Sequence, residues 1–192
     1  MKPARKIFRM LSGPRKSRQV AVFISAGGST LQSLLELQHQ INISLVVSSS
    51  KKAAGLLKAK RFGKKVHHLA RPLDYVQIDS LLAENKIEII ILAGFMKLLP
   101  PDFVEKWKGR IVNIHPSLLP AFPGLNSAER SWMENSDMGV TLHHVTAKMD
   151  DGPSFLQKVS LRSPKNHILP EAELFLRRSE QHLLREMVLR YF

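Results

Sequence analysis

A short run of apolar, β-branched residues followed by a stretch of helical spacing recurs along this chain. That alternation restricts the fold more than any other feature of the sequence. "VAVFIS", Val20 to Ser25, is continuous enough for a strand buried on both faces. It leads through "AGGS" into "TLQSLLELQH", where Leu31, Leu34 and Leu35 share one helical face. "ISLVVSSS" (Ile43 to Ser50) reads as a second strand and Lys51 to Phe62 as a basic helix. A short extended piece at Lys65 to Leu69 is followed by a helix from Asp74 to Glu84. "EIIILAG" (Glu88 to Gly94) is another buried strand, and Pro101 opens a short helix, as proline does at a first helical position. "RIVNI" is the next strand, then a helix over Ser127 to Asn135 and a strand at "GVTLHHV". "PSFLQKVSL" adds a last strand, and Glu171 to Tyr191 a terminal helix. The pattern predicts an α/β fold: a doubly wound, mostly parallel sheet with right-handed crossovers and helices on both faces.

The 192 residues fit one domain, expected over 19–192, preceded by a basic arm over 1–18. A formal charge of +13 is concentrated in two places. Residues 1–18 hold seven Lys/Arg and no acid, and Lys51 to Arg71 hold eight and no acid; the remainder is close to neutral. Such local basicity favours anionic ligands, acidic surfaces or nucleic acid, and leaves the fold open. The arm is read as a solvated tail, with a weak likeness to a transit peptide and no secretory core. No apolar run is long enough to span a bilayer. The absence of cysteine excludes disulfides and thiolate metal sites and suits a reducing compartment, so a cytoplasmic location is expected.

In open parallel sheets, ligands bind beyond the carboxyl ends of the strands. Four polar clusters fall there: Ser25–Thr30, Phe95–Lys97, Asn113–His115 and the turn after "GVTLHHVT". Asn113 and His115 alternate with Ile114, so both project from one face of a strand while Ile114 points into the protein. Pro116, Pro120 and Pro123 stiffen the segment that follows. An amide there can stabilise an oxyanion and an imidazole can exchange a proton; a structural histidine is the alternative. The turn from Ser25 through Ala26, Gly27, Gly28 and Ser29 to Thr30 opens a helix and can take a phosphate, or it is a bare tight turn. In "TAKMDDGP", Asp150 and Asp151 are ordinary turn residues, or Asp150 pairs with His115. His143–His144 and His67–His68 are assigned structural roles. Eight histidines permit a zinc reading, but no paired-histidine helix or cysteine accompanies them, and no metal is expected.

Taken together, these blocks resemble the glycinamide ribonucleotide formyltransferases, folate-dependent enzymes of purine synthesis. "NIHPSLLPAFPGLNS" is similar to that family's Asn-x-His-Pro-Ser-Leu-Leu-Pro block. "LAGFMKLLP" is similar to its folate-pocket strand and loop, and "GVTLHHVTAKMDDGP" to its closing segment. The likeness covers about residues 20–190. It implies a Rossmann-like formyltransferase fold and transfer of a formyl group from 10-formyltetrahydrofolate to an amine. By position, it implies a catalytic trio of Asn113, His115 and Asp150, with Asp150 holding His115 charged. Ser25 to Thr30 would bind the substrate phosphate, and Glu180 the substrate's amine end. Phe95, Met96, Lys97, Leu98 and Leu99, with Met149, Asp151 and Gly152, would form the folate pocket.

The chain departs from the family at Ala26, Gly27 and Thr30 in the phosphate loop, at Asn126, and at Gln181. Between Leu69 and Asp74 it is shorter, where an arginine would be expected to meet substrate. These departures leave open another acceptor for the same formyl donor, such as a sugar amine, or hydrolysis of that donor. A basic nucleic-acid-binding protein on a transferase scaffold is the reading from another class, weakened by the lack of interleaved aromatics. Family branches with an additional domain, the methionyl-tRNA formyltransferases and the deformylases, are expected not to fit a chain of this length. Small-molecule substrates, no membrane, and a monomer or homodimer complete the expectation.

Overall fold

A computed structural model describes residues 18–192, so the basic arm falls, Arg18 apart, outside the described residues. Seven strands form one sheet in the order β3-β2-β1-β4-β5-β6-β7. They are β1 (Gln19–Ile24), β2 (Asn42–Ser48), β3 (Lys65–His68), β4 (Ile89–Leu92), β5 (Ile111–His115), β6 (Met138–His144) and β7 (Ser154–Leu161). The first five run parallel, and β6 and β7 pair antiparallel at one side. All four residues of β4 are buried, as expected of a central parallel strand covered on both faces. The direction of β6 was not set by the alternation of strands and helices; it comes from the return path of the chain after β5.

The helices are α1 (Ser29–Glu36), α2 (Ala54–Arg61), α3 (Tyr75–Glu84), α4 (Pro101–Lys106), α5 (Ser127–Met133) and α6 (Leu169–Tyr191). One apolar core gathers Leu31 and Leu34 of α1, Ala59 of α2, and Leu176, Leu183 and Met187 of α6 against Val22, Ile91 and Leu142. The opposite core gathers Ile78 and Leu82 of α3 with Phe103 of α4 and Trp107 against Phe23, Ile90 and Ile111. Helices therefore cover both faces of the sheet, which is the doubly wound α/β arrangement expected.

Element limits shift where local chemistry decides them. Residues 51–52 form a turn, with the Ala53 N–H on the Ser50 carbonyl, so α2 begins at Ala54 rather than Lys51. Pro170 occupies the first turn of α6, which starts two residues before the expected Glu171. Asp74 caps α3 by accepting from the Val76 and Gln77 N–H groups, fixing Tyr75 at the first helical position.

The chain leaves β1 toward one face through α1 and leaves β4 toward the other through α4. Between those two carboxyl ends lies the crevice that such a reversal opens. Two hydrogen bonds cross it: Ser25 N–H to the Gly94 carbonyl (3.1 Å) and Met96 N–H to Ser25 Oγ (2.8 Å).

Candidate active site

β5 ends in Asn113 and His115, and register brings β6 alongside so that Asn113 faces His143 and His115 faces Thr141. Cross-strand neighbours share a face and touch. Asn113 Nδ2 lies 3.1 Å from His143 Nε2 and donates to Asp150 Oδ1 at 3.4 Å. Asp150 Oδ2 stands 3.3 Å from His115 Nδ1, and Oδ1 stands 3.5 Å from His143 Nε2. The carboxylate is thus the hub for an amide and two imidazoles. His143, assigned a structural role from sequence, belongs to this cluster; the correction comes from the antiparallel register, which sequence spacing does not specify.

The segment after β5 folds back over these groups. Thr141 Oγ1 donates to the Ser117 carbonyl (2.6 Å) and accepts from Leu119 N–H (3.1 Å) and Gln157 Nε2 (2.9 Å). Ser117 Oγ in turn donates to the Ala121 carbonyl at 2.6 Å. So fixed, the loop delivers the Phe122 carbonyl to His115 Nε2 at 2.9 Å and the Gly124 N–H to Asp150 Oδ2 at 2.8 Å. Asp150 itself adopts φ 51°, a left-handed conformation that aspartate tolerates in turns. Next to it, a Cβ on Gly152 would fall 1.7 Å from the His144 carbonyl oxygen. Glycine is the residue that lets the Asp150 turn seat against β6.

Burial pushes the His115 imidazole below its ordinary range; the Phe122 carbonyl and the Asp150 carboxylate pull the other way without prevailing. The Asp150 carboxylate favours the charged ring and desolvation opposes it, desolvation being the larger effect. For Asp150 the balance falls differently. Burial raises its carboxyl, yet hydrogen bonds from His143 and Gly124 and the nearby imidazoles outweigh it, leaving Asp150 below the usual carboxylate range.

Above this cluster lies a cavity of about 530 Å³. Its walls include Phe95, Met96, Lys97, Leu98, Leu99, Asn113, His115, His143, Met149 and Asp150. Ile114, expected to point inward, also borders it, as do Leu125, Asn126 and Ala147. Asp151 and Gly152 do not: Asp151 pairs outward with Lys148 at 3.0 Å, and Gly152 is buried against His144. Ser25, Ala26, Gly27, Gly28, Ser29 and Thr30 form an adjoining, more exposed rim, tied to the cavity wall by the Met96–Ser25 bond. Gly28 adopts φ 67° and packs on Gly55 of α2, where a Cβ would meet Gly55 Cα at 3.1 Å. Glu180 of α6 reaches this rim. Burial raises its carboxyl, opposed by a hydrogen bond to Thr30 and the charge of Arg177. Among the described residues, no group of three or more His, Asp or Glu is arranged to hold a metal ion, and no helix is long and apolar enough to cross a membrane.

An amide, an imidazole and a carboxylate meeting at the strand ends of a doubly wound sheet, beside an apolar cavity, define a Rossmann-like group-transfer scaffold. The formyl transferase family profile matches residues 18–168. Phosphoribosylglycinamide formyltransferase of Haemophilus influenzae is 32% identical over 187 residues, covering 91% of this chain and 87% of that protein. The human trifunctional purine biosynthetic protein adenosine-3 is 39% identical over 155 residues, 75% of this chain; the match spans 15% of that longer protein. The crystal structure of phosphoribosylglycinamide formyltransferase from Anaplasma phagocytophilum superposes with a TM-score of 0.81 at 35% identity, covering 87% of this chain and 83% of that one. The chain belongs to the formyl transferase family.

Proposed function

We propose that this protein transfers the formyl group of 10-formyltetrahydrofolate to the amine of glycinamide ribonucleotide, a step of purine biosynthesis, with residues 19–192 acting as one domain. The observation that carries the reading is the convergence of Asn113, His115 and Asp150, within 3.4 Å of one another through the carboxylate, at the wall of the cavity. The match over 91% of this chain and 87% of the Haemophilus influenzae enzyme supports the choice of acceptor.

The chemistry follows from the groups present. A neutral amine attacks the formyl carbon, and the carbonyl oxygen gains negative charge as a tetrahedral intermediate forms. Asn113 Nδ2 and His115 Nε2 are the donors proposed for that oxyanion, which takes the place of the Asp150 and Phe122 oxygens they meet; one such donor removed from an acyl-transfer site costs about 3–4 kcal/mol. His115 starts neutral, and negative charge appearing beside it raises its proton affinity, so it takes up the amine's surplus proton as the intermediate forms. Asp150, ionised throughout, orients His115, and the proton that His115 carries passes on to the leaving nitrogen of the folate. Phe95 to Leu99 and Met149 enclose the folate, the Ser25–Thr30 rim takes the phosphate, and Glu180 receives the amine end of the acceptor. Asp151 and Gly152, expected at the folate, stand just outside the cavity wall, Gly152 packed on His144.

The test is a formyl-transfer assay with a panel of amine acceptors, comparing wild type with His115→Ala and Asp150→Asn. Turnover of glycinamide ribonucleotide is expected in wild type, with a loss of about 10²–10⁴-fold in each variant. Turnover that survives both substitutions removes the mechanism; turnover confined to another acceptor removes the substrate assignment and keeps the chemistry.

A further inference from the structure

The wall of the cavity formed by residues 95–99 is exposed: Met96 is 66% and Leu98 73% accessible. A loop that open needs fixed points to present a defined surface. One is the Met96 N–H bond to Ser25 at the sheet. The second comes from the start of α3. Tyr75, the first residue of α3, donates its phenol hydroxyl to the Leu98 carbonyl at 2.8 Å. Its ring lies edge-on to Phe103 of α4 at 5.2 Å between centroids. Phe103 in turn stacks on Trp107 at 6.2 Å, and Trp107 Nε1 donates to Asp79 of α3 at 2.7 Å. α3 and α4 are thus joined in a closed circuit, and the Tyr75 hydroxyl projects from it onto the loop.

We propose that Tyr75 is a positioning residue for the folate co-substrate, holding the 95–99 wall in its binding conformation through the Leu98 carbonyl. This rests on the functional reading above. The geometry explains why the role falls to this side chain. Asp74 caps α3 by accepting from the Val76 and Gln77 N–H groups, which fixes the backbone that carries the Tyr75 ring. Phe103 blocks one side of the ring, leaving the hydroxyl aimed at the loop. Burial raises the Tyr75 phenol, which keeps it a donor throughout the working range. Tyr75 is absent from the cavity lining, so its influence passes through the backbone it holds.

Tyr75→Phe deletes the hydroxyl and keeps the ring. Steady-state kinetics with 10-formyltetrahydrofolate and calorimetric titration with tetrahydrofolate are the measurements. KM for the donor and Kd for tetrahydrofolate are expected to rise by about two- to tenfold, the span a single hydrogen bond commands. kcat and the acceptor KM should stay within about twofold of wild type by the same argument. Trp107→Phe is the companion variant: it deletes the Nε1 bond to Asp79 but keeps a ring against Phe103, so it should lower Tm while leaving Tyr75 in place and donor KM unchanged. Donor KM and tetrahydrofolate Kd unchanged in Tyr75→Phe would overturn the proposal. So would an equal rise in donor KM in Trp107→Phe, which would mean that general packing is responsible. Wild type that neither turns over the donor nor binds tetrahydrofolate defeats the functional reading itself, and this inference with it.

Discussion

Both ring nitrogens of His115 point at oxygen atoms, Nδ1 at Asp150 and Nε2 at the Phe122 carbonyl, so the hydrogen bonds suit an imidazolium. Burial opposes that charge and is the larger effect. A ring held neutral but surrounded by acceptors is ready to take a proton when substrate charge develops nearby. Because the neutral ring is the starting form, activity should fall on the acid side as His115 protonates prematurely, with a limb below the ordinary histidine range. Asp150 raises the His115 proton affinity, so Asp150→Asn is expected to move the acid limb of kcat/KM to still lower pH in its residual activity. A pH profile of that variant with the limb unmoved, or moved upward, would contradict the assignment. Asn113, His115 and Asp150 were legible in the sequence as motifs. His143 was not, since its place depends on which residue of β6 lies opposite Asn113.

At the scale of elements, the loop after β5 and the turn before β7 meet because β6 supports both. Thr141 is fully buried and its single hydroxyl serves three partners, the Ser117 carbonyl, the Leu119 N–H and Gln157. Thr141→Val keeps the shape and strands those groups, each orphaned buried partner costing about 1–3 kcal/mol. Urea denaturation should show a loss of about 2 kcal/mol or more, and kcat should fall because the same loop carries the Phe122 carbonyl and Gly124 N–H. A loss below about 0.5 kcal/mol would mean that the loop is held by its prolines instead. The elements themselves were readable to within a few residues, because continuous apolar runs mark central parallel strands and leucine spacing marks the helices between them. The antiparallel pairing of β6 was not readable, since an apolar run has the same appearance in either direction.

Across the whole molecule, Glu180 and Thr30 stand 150 positions apart and meet where α6 crosses the start of α1. Glu180 keeps its proton to higher pH in the folded chain than in the unfolded one. Its contribution to stability is therefore full below the unfolded carboxyl value and is lost as pH rises through the folded one. Glu180→Gln removes that titration. The variant should melt higher than wild type at neutral and alkaline pH, the gap closing on acidification, while KM for glycinamide ribonucleotide rises. Thermal melts showing the gap widening toward acid would reverse the sign and refute the burial argument. Asp150 acts oppositely: its folded value is lowered, so its contribution is present above the unfolded carboxyl value and is lost as pH falls through the folded one.

The layers, the central strands and the candidate trio Asn113, His115 and Asp150 could be read from the residues in order, because hydrophobic period and local motif are properties of neighbours along the chain. Packing between distant segments set the rest: His143 joins Asp150, burial draws the His115 imidazole down, and Tyr75 reaches Leu98. Each of those depends on distance and desolvation between segments far apart in sequence, which no pattern of adjacent residues encodes.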